Sequence, residues 1–136
     1  MYRKLQAELT AMIPDRDCIP TVAQLEQSPY LRAVVKEALR LHPGVLYRMQ
    51  RLARDLMVYT DKRNGASLTI PAETRVSMTP LLVHMDPVVF PSPRSFVPER
   101  WIENPGLERY LLSFSKGSRT CIGWVIPFFS FLRFLS

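Results

Sequence analysis

Two cysteines and two histidines are all the thiol and imidazole groups that these 136 residues supply. Cys18 and Cys121 stand far apart with no paired spacing, so neither a disulfide framework nor a zinc motif is present. No stretch matches the length of a membrane span, which takes about 20 apolar residues. The most apolar run, from Trp124 to Ser136, is too short for one and is interrupted by Arg133. Internal repeats are absent, and so is any recognised DNA- or RNA-binding motif. Disorder is excluded as well, because 47% of the residues are hydrophobic.

What is present is proline and positive charge. Twelve prolines are nearly twice the usual share of about 5%, which favours long irregular connections. A net charge of +6 suits an acidic partner surface. The length suffices for one domain with a modest core.

Along the chain, Leu5, Leu9 and Met12 share one face of a helix over 2–13, with Arg3, Lys4 and Glu8 turned to solvent. Pro14 and the Asp15–Asp17 run should stop it. Thr21 and Gln24 fit a capping box for a short helix over 21–26. Ser28-Pro29 reads as a cap followed by proline at the first helical position. From there Leu31, Val34, Val35, Ala38 and Leu39 recur at helical spacing to about Leu41, and Pro43 and Gly44 end the helix.

Strands are expected at Leu56–Thr60 and Ser67–Ile70, connected through an Asn64-Gly65 turn, with a third at Arg75–Met78. A short helix over 79–85 contains His84, which has no second His or Cys nearby and reads as structural. The proline-rich stretch 86–105 is expected to be an ordered but irregular loop.

Two constellations carry chemistry. Cys121 sits in a loop punctuated by Gly117 and Gly123 and flanked by Arg119. Glycines would let backbone N–H groups approach the sulfur, and a helix beginning after the loop would favour thiolate over thiol. Such a thiolate is a soft, strongly donating ligand suited to iron. The competing reading is a free cysteine acting as a small buried hydrophobe. Glu37 and Arg40, three residues apart, share a helix face and alone would be a surface ion pair worth under about 1 kcal/mol. Farther on comes Pro-Glu-Arg-Trp at Pro98–Trp101, preceded by Phe96.

Phe114, Gly117, Arg119, Cys121 and Gly123, at these spacings, resemble the haem-ligand loop of the cytochrome P-450 family. Three upstream segments resemble the same family in the same order, and the likeness, closest to the fungal members, runs from near residue 2 to Gly123. The resemblance implies haem b with Cys121 as axial thiolate, and Arg119 and Arg51 on the haem propionates. Phe114, Gly117 and Gly123 would complete the cofactor loop, and Val45–Gln50 would border the substrate pocket. It further implies a buried structural charge network of Glu37, Arg40 and Arg100, with no side chain doing chemistry on substrate.

The implied fold is mainly α with small β-sheets (α+β), as the truncated C-terminal, haem-ligating portion of the family fold. Residues 1–123 would be the partial family domain and 124–136 a divergent apolar tail, foreign sequence from an altered reading frame. Pro127 would break a helix continuing from Cys121, at about 3 kcal/mol or more. The implied activity is monooxygenation of a small lipophilic substrate, with electrons from a reductase that docks through an acidic surface and with no nucleic-acid partner. The parent would sit at the endoplasmic reticulum membrane through a segment that this chain lacks, as it lacks a signal peptide. Two alternatives stand beside this: a catalytically inactive truncated fragment, and a basic interaction module with a structural cysteine. A fragment would leave the Leu31, Val34, Val35 and Leu39 face bare. One departure from the family is Glu73, where glycine usually precedes the threonine, and it should weaken that turn.

Overall fold

The computed structural model describes residues 2–13 and 20–124. They divide into two units, one drawn from residues 1–45 and 80–136 and the other spanning Leu46–Thr79.

In the first unit, Ser28 and Pro29 start the longest helix, α3 (Pro29–Leu41). The Ser28 hydroxyl accepts the Leu31 amide, one of the N–H groups that every helix start leaves unpaired. Glu8 joins this cap. Its carboxylate accepts the Ser28 hydroxyl and the amides of Tyr30 and Leu31. The expectation that Glu8 faces solvent is therefore corrected: the positive end of α3 draws it in, and it is half-buried. Glu8 belongs to α1 (Tyr2–Met12), so the cap also ties one helix to another. Between them, α2 (Val22–Glu26) carries the expected capping box, with both Thr21 and Gln24 engaged. The expected helix stop at Pro14 and the acidic run lies outside the described residues.

α3 contributes to two apolar clusters. Leu25, Leu31 and Val35 form one, covered by Leu5, Leu9, Ile13 and Leu39. Ala33, Phe90, Trp101 and Leu107 form the other, flanked by Val89, Tyr110 and Leu111. The α3 face is thus not bare as expected: Leu31 is 1% exposed and Val35 2%, because α1 and α2 supply the cover from within the chain. Each such burial is worth roughly 1.5–3 kcal/mol over an exposed side chain.

α4 (Pro80–His84) follows in this unit, and residues 85–98 form the expected irregular loop. The loop reading was too broad, since α5 (Glu99–Glu103) interrupts the proline-rich stretch. Pro98 precedes the helix with an already helical φ of −61°, and burial of Arg100 and Trp101 holds so short a helix in place. A 3₁₀ stretch over Pro105–Tyr110 leads to the cysteine loop. No described helix is long and apolar enough to cross a membrane.

The second unit is two small antiparallel sheets. Strand β1 (Met49–Leu52) pairs with β4 (Arg75–Met78), and β2 (Met57–Thr60) pairs with β3 (Ser67–Ile70). β1 is a strand that the residue pattern did not reveal, because Met-Gln-Arg-Leu lacks both β-branching and clean alternation. Asp61–Ala66 close the β2–β3 hairpin through Asp61 and Asn64 side chains that accept the amides two residues on, with Gly65 at φ +72°. Glu73 adopts φ +61° and donates its amide to the Ala53 carbonyl at 2.8 Å. The turn therefore forms without glycine, at the strain of a left-handed non-glycine residue.

Candidate cofactor site and its buried support

The cysteine loop starts from a fixed root. The Leu112 amide donates to Nε2 of His84 at 2.9 Å, and the Ser113 hydroxyl donates to the Leu39 carbonyl of α3 at 2.8 Å. The Phe114 carbonyl then accepts the Cys121 amide at 2.9 Å, closing residues 115–120 into a loop. Inside it Ser115 has φ +60° and Gly117 φ +81°. A side chain at Gly117 would meet nothing within 4 Å, so glycine serves the conformation there and not the space.

Cys121 is exposed and unpaired at the end of this loop. Among the described residues no N–H group donates to its sulfur, contrary to the expected amide cradle, since the Cys121 amide is spent on closing the loop. A Cβ at Gly123 would stand 3.7 Å from Sγ, so glycine keeps that side of the sulfur open. Gly123 itself lies in a single 3₁₀ turn, Ile122–Trp124. The helix expected to continue from Cys121, and Pro127 with it, falls outside the described residues. Arg119 is exposed with no hydrogen bond or ion pair among the described residues, and Phe114 is half-buried.

The donor set can be tested against haem on this geometry. Among the described residues no three His, Cys, Asp or Glu side chains gather to cage a metal ion. A single open sulfur suits a metal whose other ligands come with an organic cofactor, and an unpaired guanidinium beside it suits that cofactor's carboxylates. The loop fits the group.

Support comes from a buried charge hub. Glu37, 0% exposed, accepts from Nε and Nη2 of Arg40 at 2.9 and 2.8 Å and from Nε of Arg100 at 3.2 Å. The Val97 amide and the Trp101 indole N–H donate to it as well, at 3.0 and 2.9 Å. Burial alone would push this carboxyl up. The bonds from Arg40, Val97 and Trp101 outweigh burial and hold it below the ordinary carboxylate range.

Arg40 uses all five of its donors, adding the carbonyls of His84, Pro93 and Ser95 to the two bonds with Glu37. Its guanidinium also lies 5.1 Å from the centre of the Phe90 ring. Arg100 takes the carbonyls of Pro91 and Val97. Three side chains thereby satisfy backbone groups of a loop whose own backbone bonds are a few turns such as Phe90 to Asp86 and Ser95 to Ser92. Val97 and Ser113 are the members that sequence reasoning passed over, while Trp101 was noted only as part of the Pro-Glu-Arg-Trp run. His84 is structural as expected, being buried and bonded to Leu112.

Arg51 belongs to the other unit. It sits on β1 opposite Val76, exposed, with Nη1 donating to the Gln50 carbonyl at 3.2 Å. Met49, Val76 and Met78 share its sheet face.

The chain as a whole is similar to known proteins. The cytochrome P-450 family model matches residues 1–126. Cytochrome P-450 monooxygenase astB of Talaromyces wortmannii is 52% identical over 124 residues, covering 90% of this chain and 25% of that protein. Cytochrome P-450 monooxygenase tpcC of Cochliobolus heterostrophus is 45% identical over 124 residues, with 90% and 24% covered. N-acetyltryptophan 6-hydroxylase ivoC of Emericella nidulans is 42% identical over 130 residues, again with 90% and 24% covered. The chain belongs to the cytochrome P-450 family. It spans about a quarter of the length of the curated relatives it matches.

Proposed function

We propose that this chain supplies the haem-ligating part of a haem-thiolate monooxygenase, in which the Cys121 sulfur would hold the iron. The observation that carries the reading is the open Cys121 sulfur on a loop whose root is tied to α3 and α4. When bound, haem b would supply dioxygen chemistry, in which one oxygen atom enters an organic substrate and the other leaves as water. This chain's residues bind and orient. The Cys121 thiolate would donate electron density to the metal, favouring O–O cleavage. Arg119, and by resemblance Arg51, would pair with the propionates through a planar fork that matches a carboxylate. Phe114 and Gly117 would shape the loop, with Gly123 leaving room beside the sulfur.

Glu37, Arg40 and Arg100 hold the frame and touch no substrate. In this reading residues 1–123 are the family portion and 124–136 a divergent tail. A relative named for hydroxylating N-acetyltryptophan supports a small organic substrate. A net charge of +6 supports electron delivery by a reductase with an acidic docking face.

The test is the carbon monoxide difference spectrum of the reduced, haem-loaded chain. A thiolate-type Soret band that survives Cys18→Ala and disappears in Cys121→Ala is the expected result. A band lost on Cys18→Ala, or no thiolate-type band from the unaltered chain, overturns the reading.

A further inference from the structure

At the root of the cysteine loop sits a histidine for which ligand binding has no direct use. His84, at the end of α4, is 0% exposed, with its ring edge-on to Phe90 at 6.4 Å between centroids. Its Nε2 accepts the Leu112 amide. That bond requires a lone pair on Nε2 and therefore the proton on Nδ1, a tautomer assigned here from the bonding pattern. Nδ1 has no hydrogen-bond partner among the described residues. A buried imidazole with one idle nitrogen costs stability that a phenyl ring of similar shape would not. The bond to Leu112 is what the ring delivers in exchange. Leu112 is followed by Ser113, tied to Leu39, and by Phe114, whose carbonyl closes the loop on Cys121.

We propose that His84 is a positioning residue for Cys121: a neutral imidazole that fixes Leu112–Phe114 and, through them, the place of the sulfur. What Cys121 does there rests on the haem reading; what His84 holds does not. Protonation would remove the acceptor and set one N–H against another. Burial, the largest influence, pushes His84 below its ordinary 6.5; the Arg40 backbone comes next and pulls back, the Arg40 guanidinium pushes down again, and the Tyr110 backbone pulls back least. Two neighbouring carboxylates are already engaged. Glu37 of α3 is taken by Arg40 and by Arg100 of α5, and Asp86, just past α4, accepts the Val88 amide.

The experiment compares amide hydrogen exchange in the full 136-residue chain with that in His84→Phe and His84→Gln. Phenylalanine keeps the ring and loses the acceptor; glutamine returns an acceptor oxygen near the Nε2 position. Exchange across 112–121 should accelerate about tenfold or more in His84→Phe, stay near the original in His84→Gln, and leave α3 unchanged in both.

If His84→Phe does not fold, the imidazole nitrogen shifts of the unaltered chain decide instead. The Nδ1–H tautomer titrating below 6.5 supports the proposal. An Nε2–H tautomer overturns it, as do His84→Phe and His84→Gln variants that both exchange like the original. In the haem-loaded chain the thiolate-type band should weaken as pH falls through the His84 titration and lose that dependence in His84→Gln. Exchange that responds as expected while no variant shows the band upholds the positioning role and sinks the haem reading.

Discussion

Glu37 and Cys121 lie in one unit under opposite conditions. Glu37 is wholly buried and accepts five hydrogen bonds from four residues. Cys121 is exposed, and among the described residues nothing donates to its sulfur. A buried charge without partners would cost several kcal/mol, so the Glu37 carboxylate is enclosed by protein donors, and Nη2 of Arg100 is the one buried hub nitrogen left without a partner among the described residues. A group that must meet a ligand is the reverse case. If the protein satisfied it, the ligand would gain nothing, so its place has to be set through the backbone. The hub determines a fold, and the loop keeps an opening within it.

The contrast breaks most sharply at the hub. Glu37→Ala strands two buried guanidinium groups and should cost about 3–5 kcal/mol, a large share of a domain's stability. Chemical denaturation followed by circular dichroism measures it. A midpoint that does not move would place the carboxylate in water and erase the difference from Cys121.

Acid should weaken the fold in two stages. His84 and Glu37 both have folded values below their ordinary ones of 6.5 and 4.5. Each therefore contributes stability that is complete above that ordinary value and is lost as pH falls through the window beneath it. Unfolding midpoints between pH 7 and pH 3 should decline first below 6.5 and again below 4.5. His84→Gln should remove the first stage alone. A midpoint that rises on acidification would contradict both assignments.

At the loop the effects shrink. Gly117→Ala must hold φ +81° with a Cβ in place, a strain of about 1–2 kcal/mol. Its stability loss should be smaller than that of Glu37→Ala, while alkylation of Cys121 by iodoacetamide changes rate. Equal rates before and after would mean that the turn does not place the sulfur. Smallest of all, Cys121→Ala should change stability by less than about 0.5 kcal/mol, since it removes an exposed side chain. A loss comparable to that of Glu37→Ala would make the cysteine structural and dissolve the comparison.

Much of the helical framework was legible from the residues. Ser28-Pro29 and Thr21 with Gln24 are local signals, because a capping side chain reaches only its own first turn. The four strands were read unevenly: β2, β3 and β4 stand out by composition, while β1 is recognisable only through its pairing with β4. The five spaced residues from Phe114 to Gly123 marked the site as a motif, yet the loop's anchors at Leu39 and His84 lie 74 and 28 residues away from their partners. No spacing rule connects such positions. Glu8 escaped for the same reason, as its role depends on α3 arriving beside it.

Local chemistry was enough to settle where helices begin, which face of α3 is apolar, and that one cysteine stands in a glycine-punctuated loop. These features depend on atoms a few bonds apart, so they survive in any fold the chain adopts. Tertiary structure decided which charges are buried and what each polar group bonds to. Glu37 with Arg40 reads as a surface pair until Val97, Arg100 and Trp101 close over it. His84 reads as an isolated histidine until the Leu112 amide arrives. Desolvation governs both, and desolvation is a property of everything packed around a group, most of it distant in the chain.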